Sequence, residues 1–220
     1  MKSSINVSKE NNKESENAKP NPIIEKLKSD FFLEKLYDIM PKKKKLEIVK
    51  YNKKLQNRLN LGVKDYKVYS ETFTPIEIEI IPINDKYGRF INIINENDEL
   101  YYHIYFNDNK KEIKNKYEIN EEDKVAKIKI IINYQVKSLK KLFEYCRCIE
   151  SINFKKFYRD NITDMSWMFC NCSSLKELNF NNFNTNNVTD MKRMFTRCSD
   201  NLKRKIKSEN KNIKDEAFYW

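Results

Sequence analysis

Glycine and histidine are scarce: two glycines and one histidine occur in 220 residues. So little glycine excludes phosphate-cradling loops, which need it so that backbone N–H groups can approach the phosphate. His103 lies in the aromatic run Tyr101–Phe106 with no Cys or Ser motif beside it. Base catalysis needs a positioned partner, so this histidine reads as structural. No carboxylate pair stands in an acid/base context. No apolar stretch approaches the ~20 residues needed to span a bilayer. Met1 to Asn21 is polar and lacks the apolar core of a secretory signal. The expectation is a non-enzymatic, cytoplasmic chain without a cofactor, its cysteines held as reduced thiols. The sequons Asn161-Ile-Thr163 and Asn187-Val-Thr189 then read as repeat pattern and not as glycan sites.

Charge is abundant and unbalanced. Lysine and arginine number 43 against 32 aspartates and glutamates, a formal +11. That permits acidic partners, RNA or anionic lipid, but the excess is spread along the chain and selects none of them. The run Lys42–Lys45 reads as a solvated helix face, with a localisation signal or phosphate contact as the competing reading. The tyrosines and phenylalanines fall at core spacing and do not interleave with the basic residues as a stacking platform would.

Composition divides the chain. Residues 1–22 have almost no apolar content and are expected to be disordered. Residues 23–72 are helical: Phe32, Leu36 and Met40 recur at helical spacing with Leu33 and Ile39 beside them, Pro41 opens a second helix carrying Ile48, Tyr51, Leu55 and Leu59, and Gly62 ends it before a short helix at Val63–Ser70. The period changes to two over 75–136. Ile76, Ile78 and Ile80 alternate with Glu77 and Glu79, and further strands fit Arg89–Ile94, Leu100–Phe106 and Ala126–Val136, with a short helix at Lys110–Tyr117.

From Leu139 a period of 26 residues sets in. Phe143, Phe169 and Phe195 are in register; so are Cys146, Cys172 and Cys198, Leu139, Met165 and Met191, and Leu142, Met168 and Met194. In the second half of the unit Ile149 matches Leu175, Ile152 matches Leu178, and Phe154 and Phe157 match Phe180 and Phe183. Thr163 and Thr189 are placed to cap short helices carrying Met165, Met168 and Phe169, and Met191, Met194 and Phe195. One unit cannot bury its apolar side alone, whereas stacked units form ladders of like residues. The pairs Cys146-x-Cys148 and Cys170-x-Cys172 suggest zinc by spacing alone. Three of these cysteines hold one ladder position, which makes them small buried hydrophobes instead.

The stretch Asn161-Ile-Thr-Asp-Met-Ser-Trp-Met-Phe-Cys-Asn-Cys-Ser-Ser-Leu-Lys-Glu-Leu-Asn-Phe and its echo from Asn187 resemble the BspA-type leucine-rich repeat of bacterial and protist surface proteins. The glycine expected before the ladder cysteine is replaced by Tyr145, Asn171 and Arg197. The resemblance implies a fold class of α+β: N-terminal helices, a small β-rich cap over 75–136, a short leucine-rich-repeat-like solenoid over 137–199, and a C-terminal tail or cap over 200–220. It also implies binding through outward strand positions, here Ser151, Asn153 and Lys155 in the first unit and Glu177, Asn179 and Asn181 in the second. The helices around Phe32–Met40 and Leu46–Gln56 resemble, less closely, an F-box segment. That likeness implies a Skp-like partner for residues 23–62 and a role as substrate adaptor of a cullin ubiquitin ligase. The reading is therefore a protein-interaction scaffold, with the adaptor and a basic nucleic-acid binder as alternatives.

Overall fold

The computed structural model describes residues 24, 26–40, 42–180 and 185–219. Expectations that fall on residues 1–22, Pro41, Asn181, Phe183 and Trp220 lie outside the described residues. Two compact units form, Met1–Tyr69 and Ser70–Trp220. Among the described residues, no helix is long and apolar enough to cross a membrane.

The first unit contains α1 (Asp30–Ile39), α2 (Lys42–Val49) and α3 (Lys53–Arg58); α4 (Val63–Thr72) runs out of it. Ser29 caps α1 by accepting from the Phe32 N–H. Leu33, Val49 and Leu55 form the buried centre, with Leu36, Tyr37 and Met40 against them. The inward stripe of α1 is thus rotated from the one expected, and Phe32 (65 %) and Ile39 (79 %) are exposed. The single helix expected over Ile48–Leu59 breaks at Asn52, whose side chain accepts from the Leu55 N–H and starts α3 anew. Arg58 ties the unit together, bonding Asp30 Oδ1 and the Leu27 carbonyl, each at 2.6 Å.

The second unit is built on a five-stranded mixed sheet. Its strands are β1 (Ile76–Pro82), β3 (Tyr102–Phe106), β5 (Ile128–Ile132), β6 (Ile149–Lys156) and β7 (Glu177–Asn179), in the order β3-β5-β1-β6-β7; β2 (Gly88–Arg89) and β4 (Glu118–Ile119) pair separately. Alternation puts Ile76, Ile78 and Ile80 of β1, Ile128, Ile130 and Ile132 of β5, and Ile152 and Phe154 of β6 into one core. Glu77 and Glu79 fall on the other face of β1, where the lysines of β6 meet them.

The expected leucine-rich-repeat solenoid does not form. Repeat and cap are not successive bodies, because β6 pairs antiparallel with β1 along nearly its whole length and makes the first repeat strand an interior strand of the sheet. Only β7 continues parallel to β6, in a register 26 residues apart, Ile152 opposite Leu178. The third unit has no strand. Its residues enter α5 (Asp200–Glu209), started by Ser199, which accepts from the Leu202 N–H.

Residues 26 apart nevertheless meet. Phe143 stacks on Phe169 at 5.6 Å, Phe169 on Phe195 at 5.5 Å, and Phe195 on Phe218 at 5.3 Å. Backbone bonds join the rungs: Leu139 N–H to Asp164 C=O and Phe143 N–H to Met168 C=O, then Met165 to Asp190 and Phe169 to Met194. Both ends are closed, as buried backbone groups require. Asn92 donates from its backbone and side chain to the carbonyls of Leu142 and Glu144. At the far end the short 3₁₀ turn Asp215–Ala217 accepts from Arg193 and Phe195.

The short helices expected over Met165–Phe169 and Met191–Phe195 are turns. Asp164 and Asp190 accept from the N–H two residues on (Ser166 at 2.8 Å, Lys192 at 2.9 Å), a local bond that competes with helix. Trp167 and Arg193 then turn left-handed, at φ 61° and 59°. Elsewhere the strand expected at Arg89–Ile94 shrinks to Gly88–Arg89, because Asn92 is needed to close the first rung. The helix expected at Lys110–Tyr117 is instead an irregular segment that bridges Ile113 to Ile104 and passes through left-handed Asn115.

Each rung needs two left-handed residues, and none is glycine: Lys141 and Tyr145, Trp167 and Asn171, Arg193 and Arg197, with φ between 58° and 62°. Side chains in that region cost about 1–2 kcal/mol, least for asparagine. Tyr145→Gly and Arg197→Gly are each expected to add about 0.5–1 kcal/mol of stability in urea unfolding. Trp167→Gly is not expected to gain, since its ring is sandwiched between Lys141 (5.5 Å) and Arg193 (4.8 Å). A loss at Tyr145 and Arg197 alike would show that their side chains outweigh the backbone strain.

Candidate binding surface

The outward face of the sheet carries charge in cross-strand pairs. Lys156 meets Glu77 at 2.6 Å and Lys155 meets Glu79 at 3.2 Å between β1 and β6, and Lys176 meets Glu150 at 2.7 Å one rung on. Between this face and α5 lies a cleft of about 540 Å³. Ser151, Asn153, Glu177 and Asn179 line it, as the strand alternation places them, and Glu79, Lys205, Glu209 and Asn210 complete it. Lys155 is drawn to Glu79 and does not line the cleft. Asn181 lies outside the described residues.

The residues that sequence reasoning missed are those of the cleft's two walls. Glu79 was readable as outward, but its position opposite Asn153 is a property of the β1–β6 register. The helical wall had a signal in Ser199-Asp200 followed by Leu202 and Ile206 at helical spacing. Both apolar residues are buried, and α5 packs beside β7.

The remaining reactive side chains are committed to structure. His103 Nδ1 lies 2.8 Å from Glu112 Oε1, and its Nε2 lies 3.1 Å from Asn133 Nδ2. An Asn133 amide donating to Nε2 leaves the proton on Nδ1, facing the carboxylate, so both ring nitrogens are engaged. The neighbouring cavity of about 380 Å³ also holds Tyr117, whose hydroxyl bonds Glu99 and is pushed up to about 12, first by burial and then by that carboxylate.

All five cysteines are free and buried. The ladder thiols donate to the carbonyl one rung back, Cys172 to Phe143 at 2.9 Å and Cys198 to Phe169 at 3.1 Å. Burial pushes Cys146 and Cys172 well above their ordinary value of 9.0 and Cys198 up to about 12. Such thiols are neither nucleophiles nor metal ligands at neutral pH. Among the described residues no three His, Cys, Asp or Glu side chains come together as a metal site. Because the folded values lie above the unfolded one, stability is fully present below pH 9 and is lost as pH rises past it. The three ladder thiols together are expected to cost about 4 kcal/mol per pH unit there. Urea titrations between pH 8 and 11 should show at least that slope, and a variant with alanine at Cys146, Cys172 and Cys198 should make it shallower, leaving the part due to Cys148 and Cys170, which burial also raises. An unchanged slope in the variant would assign the alkaline loss to other groups.

Residues 112–217, just under half of the chain, match the model of a family described as Mycoplasma protein of unknown function, DUF285. The match begins ahead of the first rung and runs through the closing turn, so it follows the stacked part of the second unit. No curated protein matches the chain, and no solved structure does. This chain is thus similar, over its rungs and their closing turn, to a family whose own role is unassigned.

Proposed function

We propose that this chain is a non-catalytic recognition protein that holds a protein partner on the outward face of β1, β6 and β7, against the wall of α5. The supporting observation is the cleft: four of the outward strand residues converge there with polar side chains from β1 and α5. Neutral, buried thiols and a histidine with both nitrogens engaged leave the described part of the chain without an evident nucleophile or base.

The test is a paired affinity capture from native lysate, using the full chain and a variant with alanine at Ser151, Asn153, Glu177 and Asn179. These side chains face outward, so the variant is expected to keep its circular dichroism spectrum and lose the captured partner. Identical captured sets would remove this face from the function.

A second reading has its own observation. Between residues 42 and 58 eight lysines and arginines stand against one glutamate. Binding of RNA that weakens steeply with salt would favour a nucleic-acid role for that segment.

A further inference from the structure

On the outward face of the sheet, carboxylates are matched with a lysine on the next strand: Glu77 with Lys156, Glu79 with Lys155, Glu150 with Lys176. Glu177 stands at the edge of that lattice. The residue 26 positions further on, where the next cation would come, is Lys203. It lies in α5 and turns to Asp200 at 2.7 Å. Across the cleft α5 presents a second carboxylate, Glu209. Among the described residues neither Glu177 nor Glu209 is in an ion pair, although the chain carries a net +11.

The backbone adds a second feature. The Lys176 N–H is used on the Glu150 carbonyl of β6, so strand alternation turns the backbone groups of Glu177 toward the other edge. β7 is the last strand on that side of the sheet. Asn153, Asn179 and Asn210 line the same cleft, and side-chain amides both donate to and accept from a peptide backbone.

We propose that the cleft beside β7 takes an extended peptide segment bearing a lysine or arginine, whose cation pairs with Glu177 and Glu209, two carboxylates that share the cleft with the single lysine Lys205. This rests on the recognition role argued above and names the chemistry of the partner. The cross-strand columns give its pattern. A cation follows Ser151 and Glu177, and Leu178 and Phe180 of the neighbouring columns line the cleft with them. A polyanion is disfavoured by the carboxylates of Glu177 and Glu209, since Glu79 is paired with Lys155 and Lys205 balances only one of the other two.

The test uses the full chain and fluorescence anisotropy with two labelled peptides, Ser-Lys-Leu-Asn-Phe and the same sequence with glutamate in place of lysine. The lysine peptide should bind and the glutamate peptide should not. Glu177→Gln should weaken binding of the lysine peptide about fivefold, the scale of one exposed ion pair. Glu177→Lys should abolish it. Raised salt should weaken it further. Equal binding of the two peptides, no binding of either, or indifference to Glu177→Lys would overturn the proposal. If the four-alanine variant still loses its captured partner in that event, the face remains a recognition surface and only the assigned chemistry falls.

Discussion

Replacing Phe169 by alanine is expected to lower the unfolding free energy of the second unit by about 3–5 kcal/mol. The ring is fully buried between Phe143 and Phe195, with Phe154 and Phe180 edge-on to it at 6.5 and 5.9 Å. Truncation therefore removes apolar burial and leaves a gap in the middle of a column. Hydrogen bonds between the rungs flank it on both sides, so the column cannot collapse to fill it. Phe218→Ala should cost less, because that ring closes the column at one end and, among the described residues, stacks on Phe195 alone. Both tryptophans, Trp167 and Trp220, follow residue 70 in the sequence, so their fluorescence in urea reports on this unit. A loss under about 1.5 kcal/mol for Phe169→Ala, below the usual range for a buried phenylalanine, would mean that the stacked rings are not the unit's spine.

Arg159→Ala should be comparably damaging, for a different reason. Arg159 has no exposed surface, and its hydrogen-bond acceptors are neutral. Nη2 donates to the carbonyls of Asn133 (2.9 Å) and Val136 (2.8 Å), Nε donates to Asn161 Oδ1 (2.9 Å), and the guanidinium lies 4.9 Å from the centre of the Tyr134 ring. These contacts fasten the turn after β5 to the segment after β6, where the sheet hands over to the rungs. Burial pulls the guanidinium down to about 10, which still leaves it charged at neutral pH. Nη1 is buried without a hydrogen-bond partner, so the residue is held at some cost. Removing it leaves the Asn133 and Val136 carbonyls only their longer bonds, from the Val136 N–H (3.3 Å) and Asn161 Nδ2 (3.4 Å), takes the donor from the Asn161 amide oxygen and opens a cavity, an expected loss of about 3–5 kcal/mol. Arg159→Lys should recover only part of this, since one ammonium cannot reach all three acceptors. Urea unfolding of the two variants checks the order; a lysine variant as stable as the parent would show that charge alone, and not the planar fork, holds the turn.

Several features were readable one residue at a time. The alternation Ile76-Glu-Ile-Glu-Ile is β1, and Tyr102–Phe106 and Ile128–Ile132 are strands within the expected runs. The 26-residue spacing of Phe143, Phe169 and Phe195 became a stack because like residues in a repeat reach like environments. Their cysteines became buried thiols for the same reason. Ser151, Asn153, Glu177 and Asn179 face outward because a strand alternates, which needs no knowledge of its neighbours.

What failed depended on partners distant in sequence. The short turns after Thr163 and Thr189 read as helices because apolar spacing over six residues fits both. The Asp164 and Asp190 side-chain bonds and the left-handed residues at 167 and 193 decided between them. The break of α1's expected stripe and of the second helix was likewise settled by local caps and by which face met the rest of the unit.

By itself the sequence determined the period of the rungs, the alternation of the strands, and hence which side chains face the core and which face out. Hydrophobic period is a local property, written into each segment. Only the tertiary structure decided that β6 joins β1 and merges repeat and cap into one sheet, and that the third unit ends in α5 instead of a strand. It alone placed Glu79 and Glu209 beside Glu177 and put Arg159 at the seam. Strand order, register and the pairing of charges depend on contacts between residues tens of positions apart, and no short window of sequence contains both members of such a pair.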